Sequence, residues 1–170
     1  GTLIDDVEVA DGATLSLAAD IIDDLTVNAA GTTGAVAVDA SSGVDASSSG
    51  DGTLTLGGSA NYTVTGLGAD TADDDLDVGS VTGTVDVTLD ADSNSGTITA
   101  GEDTGATTVD ADNLAAGAAV NIAGSGDVTA STIDGDVDGS LSSGNLTLNG
   151  GAGDNTLEGG DGDDVITSGA

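Results

Sequence analysis

Gly150-Gly-Ala-Gly-Asp-Asn-Thr-Leu-Glu158 runs without a break into Gly159-Gly-Asp-Gly-Asp-Asp-Val-Ile-Thr167. The second nonamer fits the pattern G-G-x-G-x-D-x-U-x at every fixed position, where U is a large apolar residue. The first fits everywhere except Asn155, which stands where Asp is expected. Leu148, Leu157 and Ile166 are nine residues apart, so the apolar register begins before the first nonamer. Glycine and aspartate are abundant throughout the chain, and one such match would carry little weight. Two in tandem, with a third apolar residue in phase, point to a repeated turn-and-strand unit.

The pattern suits a hard cation. Six residues of each unit make a turn and three make a short strand. The glycines permit positive φ and close approach of backbone to an ion. Calcium takes six to eight oxygens at roughly 2.3–2.6 Å and accepts carbonyls as readily as carboxylates. The turn offers both: peptide carbonyls from Gly159 to Asp163 and the Asp164 carboxylate, with the equivalent positions Gly150, Asp154 and Asn155 in the first unit. Asp161 and Asp163, at variable positions, add negative potential. The apolar U residues are expected to point inward and stack. A flexible Gly/Asp-rich tail is the bland alternative.

At these residues the chain resembles the RTX family of calcium-binding bacterial proteins exported by type I secretion. A looser likeness covers Val120-Asn-Ile-Ala-Gly-Ser-Gly-Asp-Val128 and Asn145-Leu-Thr-Leu-Asn-Gly-Gly-Ala-Gly-Asp154. That order is similar to the strand-rich segments that precede RTX repeats in surface-layer proteins of the Caulobacter type. The resemblance implies a secreted protein whose calcium sites drive folding and lattice assembly. It also implies that an ion lies between turns two nonamers apart on one side of a roll. With two clear nonamers, a full site of that kind needs an atypical upstream turn, residues beyond Ala170, or a neighbouring molecule.

Composition sets the wider limits. The 170 residues include 31 acids and no Lys, Arg or His, for a formal charge of −31. No internal salt bridge is available apart from one to the N-terminal amine, and self-repulsion opposes compaction. A divalent cation is the simplest agent to neutralise it, and without calcium the chain is expected to be largely unfolded. Of the acids, 28 are Asp and three are Glu (Glu8, Glu102, Glu158). Asp favours turns through its short side-chain hydrogen bonds. Nucleic acids and anionic membranes need basic residues in the protein, so neither is a partner class. No apolar run approaches the ~18–20 residues of a membrane-spanning helix. Gly1 is not an initiator Met and no signal peptide is visible, so a processed chain or a fragment is expected.

Enzymatic chemistry finds little to work with. There is no His, Lys or Cys to act as base or nucleophile, and no His or Cys for a transition metal. Asp103-Thr104-Gly105 spells the aspartic-protease tripeptide, but that chemistry needs two such carboxylates and no second copy exists. Carboxylate pairs for glycoside hydrolysis lack Trp, Phe, His or Arg to build a sugar pocket around them. The reading is non-enzymatic.

Helical signals are poor, since 29 glycines are spread along the chain. Alternation recurs instead: Val7/Val9, Leu15/Leu17, Leu25/Val27, Val36/Val38, Leu54/Leu56, Tyr62/Val64, Leu76/Val78 and Val85/Val87/Leu89. These read as short strands with one buried face, separated by turn clusters. Beyond residue 90 the apolar positions thin to Ile98, Val109, Val120/Ile122, Val128, Ile133, Val137, Leu141 and Leu146/Leu148. Residues 39–53 read as a loop with a weak strand near Val44. The expected fold is all-β: an irregular parallel β-solenoid or β-helix ending in a calcium β-roll, with a β-sandwich as the alternative for residues 1–90. Residues 1–145 form the strand-rich region and 146–170 the nonapeptide repeats.

Asp-x-Asp pairs at Asp75/Asp77, Asp90/Asp92, Asp110/Asp112 and Asp134/Asp136/Asp138 place like charges roughly 6.6 Å apart on one strand face. They need solvent or a bridging cation. Asp134, Asp136 and Asp138 partly resemble a calcium loop and join the candidate ligands. Thr-x-Thr pairs at Thr53/Thr55, Thr63/Thr65 and Thr97/Thr99 are accounted for by strand propensity. The functional expectation is a calcium-dependent structural protein on a bacterial cell surface, forming a homo-oligomeric layer or filament. The alternatives are a calcium-stiffened adhesin segment and the secretion tail of an exported hydrolase. Any contact with cell-surface polysaccharide is assigned to a region outside these residues.

Overall fold

The computed structural model describes residues 6–8, 16–18, 26–29, 35–39, 52–59, 61–67, 74–89, 96–102, 105–112, 114 and 118–169. Among them there is no helix, and so none long and apolar enough to cross a membrane. There are sixteen strands: β1 (Asp6–Glu8), β2 (Ser16–Ala18), β3 (Thr26–Ala29), β4 (Ala35–Asp39), β5 (Gly52–Gly58), β6 (Asn61–Leu67), β7 (Asp74–Val81) and β8 (Val85–Leu89), followed by β9 (Thr97–Ala100), β10 (Thr107–Asp110), β11 (Ala119–Gly124), β12 (Val128–Ile133), β13 (Asp136–Ser142), β14 (Leu146–Gly150), β15 (Leu157–Glu158) and β16 (Val165–Thr167). The predicted strand at Val44 lies outside the described residues.

Odd strands form one eight-stranded sheet and even strands another, each in sequence order. All the pairings are parallel. The chain therefore winds as a two-sheet β-solenoid. The described strands β1 to β8 follow the same parallel winding, so the sandwich alternative for residues 1–90 does not hold for them. Both sheets run on across residue 145, between β13 and β14.

Alternation along each strand makes stacked interior columns, because side chains two apart share a face. In the odd sheet Leu54, Leu76, Ile98 and Ile122 stack in register and are fully buried. In the even sheet Val64, Val87, Val109, Ala130, Leu148 and Ile166 form one column. Beside it run Tyr62, Val85, Thr107, Val128 and Leu146. Burying each Leu or Val contributes about 1.5–3 kcal/mol, and the sheets need no aromatic core. Tyr62, the lone aromatic, is buried and donates its hydroxyl hydrogen to the Gly57 carbonyl at 2.5 Å.

Coil length is uneven, from 29 residues between β3 and β5 to 18 between β14 and β16. Asp75 bonds Thr97, 22 residues on, whereas Leu146 bonds Asp164, 18 residues on. Eighteen residues are two nonamers, which is why the U residues alternate between sheets: Leu148 and Ile166 in the even sheet, Leu157 in the odd.

Two apolar positions depart from the sequence reading. Leu141 was expected inside its strand and is 74% exposed. The register of β11 against β13 slips by a bulge between Asn121 and Ala123, after which Leu141 pairs with outward Ala123 and Ser142 turns in. A matching slip in β12 passes through Thr132, whose φ is 51°. Ile166 was expected to be stacked inside and is 47% exposed, because β16 lies at the end of its sheet and nothing stacks beyond it among the described residues.

Candidate metal centre

The terminal nonamers sit at the corners where the chain passes between sheets. On the corner leading into the even sheet, Gly126, Gly144 and Gly162 stack directly. A Cβ at Gly144 would collide with the Gly126 carbonyl, and one at Gly162 with the Gly144 carbonyl. Only glycine lets backbone approach so closely. One residue after each glycine comes Asp127, Asn145 or Asp163. The Asn145 N–H donates to Asp127 Oδ1 at 2.8 Å, and the Asp163 N–H donates to Asn145 Oδ1 at 2.8 Å. Side-chain oxygens thus satisfy the corner N–H groups of the next coil, which strand pairing leaves unpaired.

Of the residues assigned to the second nonamer, Asp161 and Asp163 are exposed, while Gly159 and Asp164 are half-buried. The Asp161 N–H donates to the Ser142 carbonyl at 2.9 Å. Asp164 Oδ1 accepts the Leu146 N–H at 2.9 Å, and its Oδ2 occupies the space that a Cβ on Gly159 would need. The Asp164 carboxylate is therefore folded back across its own turn.

The first nonamer is docked on the preceding coil. Asp134 Oδ1 accepts the Ala152 N–H at 2.6 Å, and Asp136 Oδ1 accepts the Thr156 N–H at 2.7 Å. Asn155 Nδ2 donates to the Ile133 carbonyl at 2.8 Å, and so does the Gly151 N–H, at 2.7 Å. Gly150 ends β14, and Asp154 is exposed. The structure thus gathers Asp134, Asp136 and Asn155 at one corner. Asp138 is turned outward and bonds its own strand, Oδ1 accepting the Ser140 N–H at 2.9 Å. Hydrogen bonds from the Ser140 side chain and backbone hold the Asp138 carboxyl below its ordinary range.

The donor set fits calcium on two counts. Asn155 Oδ1 is buried without a hydrogen-bond partner, in the turn where the repeat pattern places a ligand. It lines a pocket of about 250 Å³ with Gly150, Gly153 and Ser168. The second count is the glycine cradle over Asp164. Among the described residues no group of three or more acidic side chains is placed to hold an ion by itself. Peptide carbonyls must supply most of the oxygens, which suits calcium and excludes metals that demand His or thiolate. When bound, calcium would supply charge neutralisation and cross-linking of adjacent turns, with Asp164 and Asn155 as side-chain ligands.

A family model described as RTX calcium-binding nonapeptide repeat (4 copies) matches residues 142–170. The terminal coils are calcium-binding RTX repeats. No curated protein and no solved structure shows significant similarity to the chain. The RTX match begins at Ser142, eight residues before the first full nonamer, and the register explains why. Residues 141–149 lie 18 positions below the second RTX nonamer, with Gly144 under Gly162 and Asn145 under Asp163. They keep the corner glycine and the apolar U residue of the repeat, Gly144 and Leu148, while Leu141, Ser142 and Leu146 stand where the pattern has Gly, Gly and Asp.

Other predicted pairs have local partners. Asp75 Oδ1 accepts the Thr97 N–H and Asp77 Oδ1 the Gly79 N–H, each at 2.8 Å. Asp110 Oδ1 accepts the Asp112 N–H and the Thr132 hydroxyl, each at 3.2 Å. Asp86, unremarked in the sequence, accepts the Thr108 hydroxyl across coils. Asp90 and Asp92 lie outside the described residues. Sequence reasoning missed the Asp127–Asn145–Asp163 ladder. Its signal was a Gly followed by Asp or Asn every 18 residues, visible only once the coil length is known.

Proposed function

We propose that this chain is a non-enzymatic structural protein, secreted by a bacterium, that self-assembles into a surface layer or filament when calcium binds. The observation that carries the reading is the pairing of a wholly uncompensated charge of −31 with RTX corners that take calcium. Stacked coils bring acids from successive turns close together, and the same repulsion acts between molecules. Calcium relieves both, so folding and association share one trigger. Exposed Asp138, Asp154 and Asp161 support association once a cation screens that repulsion.

A second reading has its own support. The unbroken stack of coils in both sheets suits a stiff spacer, as in the stalk of a large adhesin. Electron microscopy across a calcium titration separates the two. Ordered sheets or filaments at millimolar calcium are the expected result. Rigid single rods at every calcium concentration would select the stalk and reject self-assembly.

A further inference from the structure

Of the eight asparagines in the chain, Asn149 alone is followed by glycine. The pair closes β14, where Leu146 and Leu148 are buried and Asn149, on the opposite face, is half-buried. Asn149 lies opposite Thr167 of β16, and Gly150 lies opposite Ile133 of β12. The step is therefore held between two neighbouring strands.

An Asn-Gly step carries its own chemistry. The backbone nitrogen of the following residue can attack the asparagine side-chain carbonyl carbon, and a Cβ on that residue obstructs the approach. Glycine has none. Attack by the Gly150 nitrogen on Asn149 Cγ forms a cyclic imide. The Cγ–Nδ2 bond breaks, and ammonia leaves with the proton given up by the Gly150 nitrogen. Water then opens the ring at either carbonyl. One opening yields aspartate. The other yields isoaspartate, in which the main chain runs through the side-chain carbons.

The folded strand blocks the first step. The Leu146 N–H is bonded forward, to Asp164, and the Gly151 N–H backward, to the Ile133 carbonyl. Backbone N–H groups of successive strand residues point to opposite neighbours. The Gly150 N–H, like that of Leu146, is thus directed at β16. Closing the imide requires the Asn149 backbone to rotate out of the strand, which breaks its pairing with Thr167. That partner strand, β16, has three residues and follows directly on the calcium-binding turn from Gly159 to Asp164.

We infer that Asn149-Gly150 is a calcium-gated modification site. While calcium holds β16 on β14 the side-chain amide is protected, and when calcium leaves, Asn149 converts to aspartate and isoaspartate. This rests on the reading that calcium orders the terminal coils. Isoaspartate lengthens the main chain just before Gly150 and Gly151, where the packing leaves no slack. The Gly151 N–H is bonded to the Ile133 carbonyl at 2.7 Å, and the Gly151 carbonyl fills the space that a Cβ on Gly169 would need. A chain so modified does not restore the register of β14 with β16, so the loss of calcium becomes permanent.

The test incubates the 170-residue chain at neutral pH and fixed ionic strength, with millimolar calcium or with chelator, and maps deamidation by mass spectrometry of its peptides. Asn145 and Asn155, in the same coils but followed by Leu and Thr, are internal standards. Chelator is expected to speed conversion of Asn149 about tenfold or more as the open population rises, with Asn145 and Asn155 far slower. Hydrogen exchange of residues 142–169 is read on the same samples. Coils that lose protection while Asn149 converts no faster overturn the site and leave the calcium reading standing. Coils that keep protection, with Asn149 equally slow in both, overturn the gate and the calcium reading together. Fast conversion in calcium-saturated, protected coils overturns the protective role of the strand. Asn149→Thr, which matches Thr167 opposite, is expected to regain its β spectrum when calcium is restored after the same incubation, and the parent is not. Equal recovery in the parent overturns the permanence of the change.

Discussion

The middle coils and the terminal coils share one winding but not the same balance of forces. From β5 to β14 the interior columns are mainly aliphatic, with Leu54, Leu76, Ile98, Ile122 and Leu148 wholly buried and Tyr62 and Thr107 interrupting one of them. In the last coil the strands shorten to two and three residues, and Val165 and Ile166 lie largely in solvent. Stacked corner glycines and side-chain oxygens on the next coil's N–H groups run through both regions, and the terminal coils add turns that take calcium. In the terminal coils, oxygen-rich turns join apolar stacking in fixing one coil on another. Burial and inter-coil hydrogen bonds thus hold both parts of the polyanion, and in the terminal part calcium-binding turns add to them.

Among substitutions, the sharpest contrast should come from one column. Leu148→Ala removes a fully buried side chain and is expected to cost about 2–5 kcal/mol in calcium-saturated protein, measured by urea unfolding. Ile166→Ala, the next residue in that column, should cost under about 1 kcal/mol because the site is half in solvent. Equal losses at both positions would erase the distinction between the regions. Next in size, Gly144→Ala forces a Cβ into the Gly126 carbonyl and should cost about 1–3 kcal/mol, with hydrogen-exchange protection lost first in residues 142–169. The substitution Asn145→Ala removes the acceptor of the Asp163 N–H and should cost about 1 kcal/mol, whereas Asn145→Asp keeps the acceptor and should cost less. If Ala and Asp behave alike, the ladder contributes nothing.

The smallest effect is a pH dependence. Hydrogen bonds from Ser140 lower the Asp138 pKa in the folded state. That contribution is fully present above the ordinary aspartate value of about 3.9 and is lost as pH falls through the folded value. Ser140→Ala should therefore reduce stability slightly at neutral pH, and the difference from the parent should vanish in stronger acid. A difference that grows on acidification would reverse the assigned sign.

Much of the fold could be read from residues alone. Alternating pairs such as Tyr62/Val64 and Val85/Val87 marked strands because a half-buried strand has a two-residue period, and small side chains with no large aromatic core favoured a thin solenoid. Leu141 was misplaced because a bulge inverts the period and has no apolar signature. The nonamers were legible because the RTX turn needs glycine and oxygen ligands at fixed offsets. The hydrogen bonds of Asp134 and Asp136 were not, because which N–H a carboxylate caps depends on the coil stacked on it. Finding that N–H requires the register between coils, which varies from 29 residues between β3 and β5 to 17 at the start of β11 and β13 and hides any simple repeat.

The claim beneath all of this is that bound calcium is what allows so acidic a chain to stack. The direct measurement is far-UV circular dichroism of the 170-residue chain, with hydrogen exchange read in parallel, as calcium is withdrawn by chelator at fixed ionic strength. The expected result is loss of the β signal, with protection vanishing from residues 142–169 before the coils between β5 and β12. A β spectrum and terminal-coil protection that are the same with and without calcium would contradict the account.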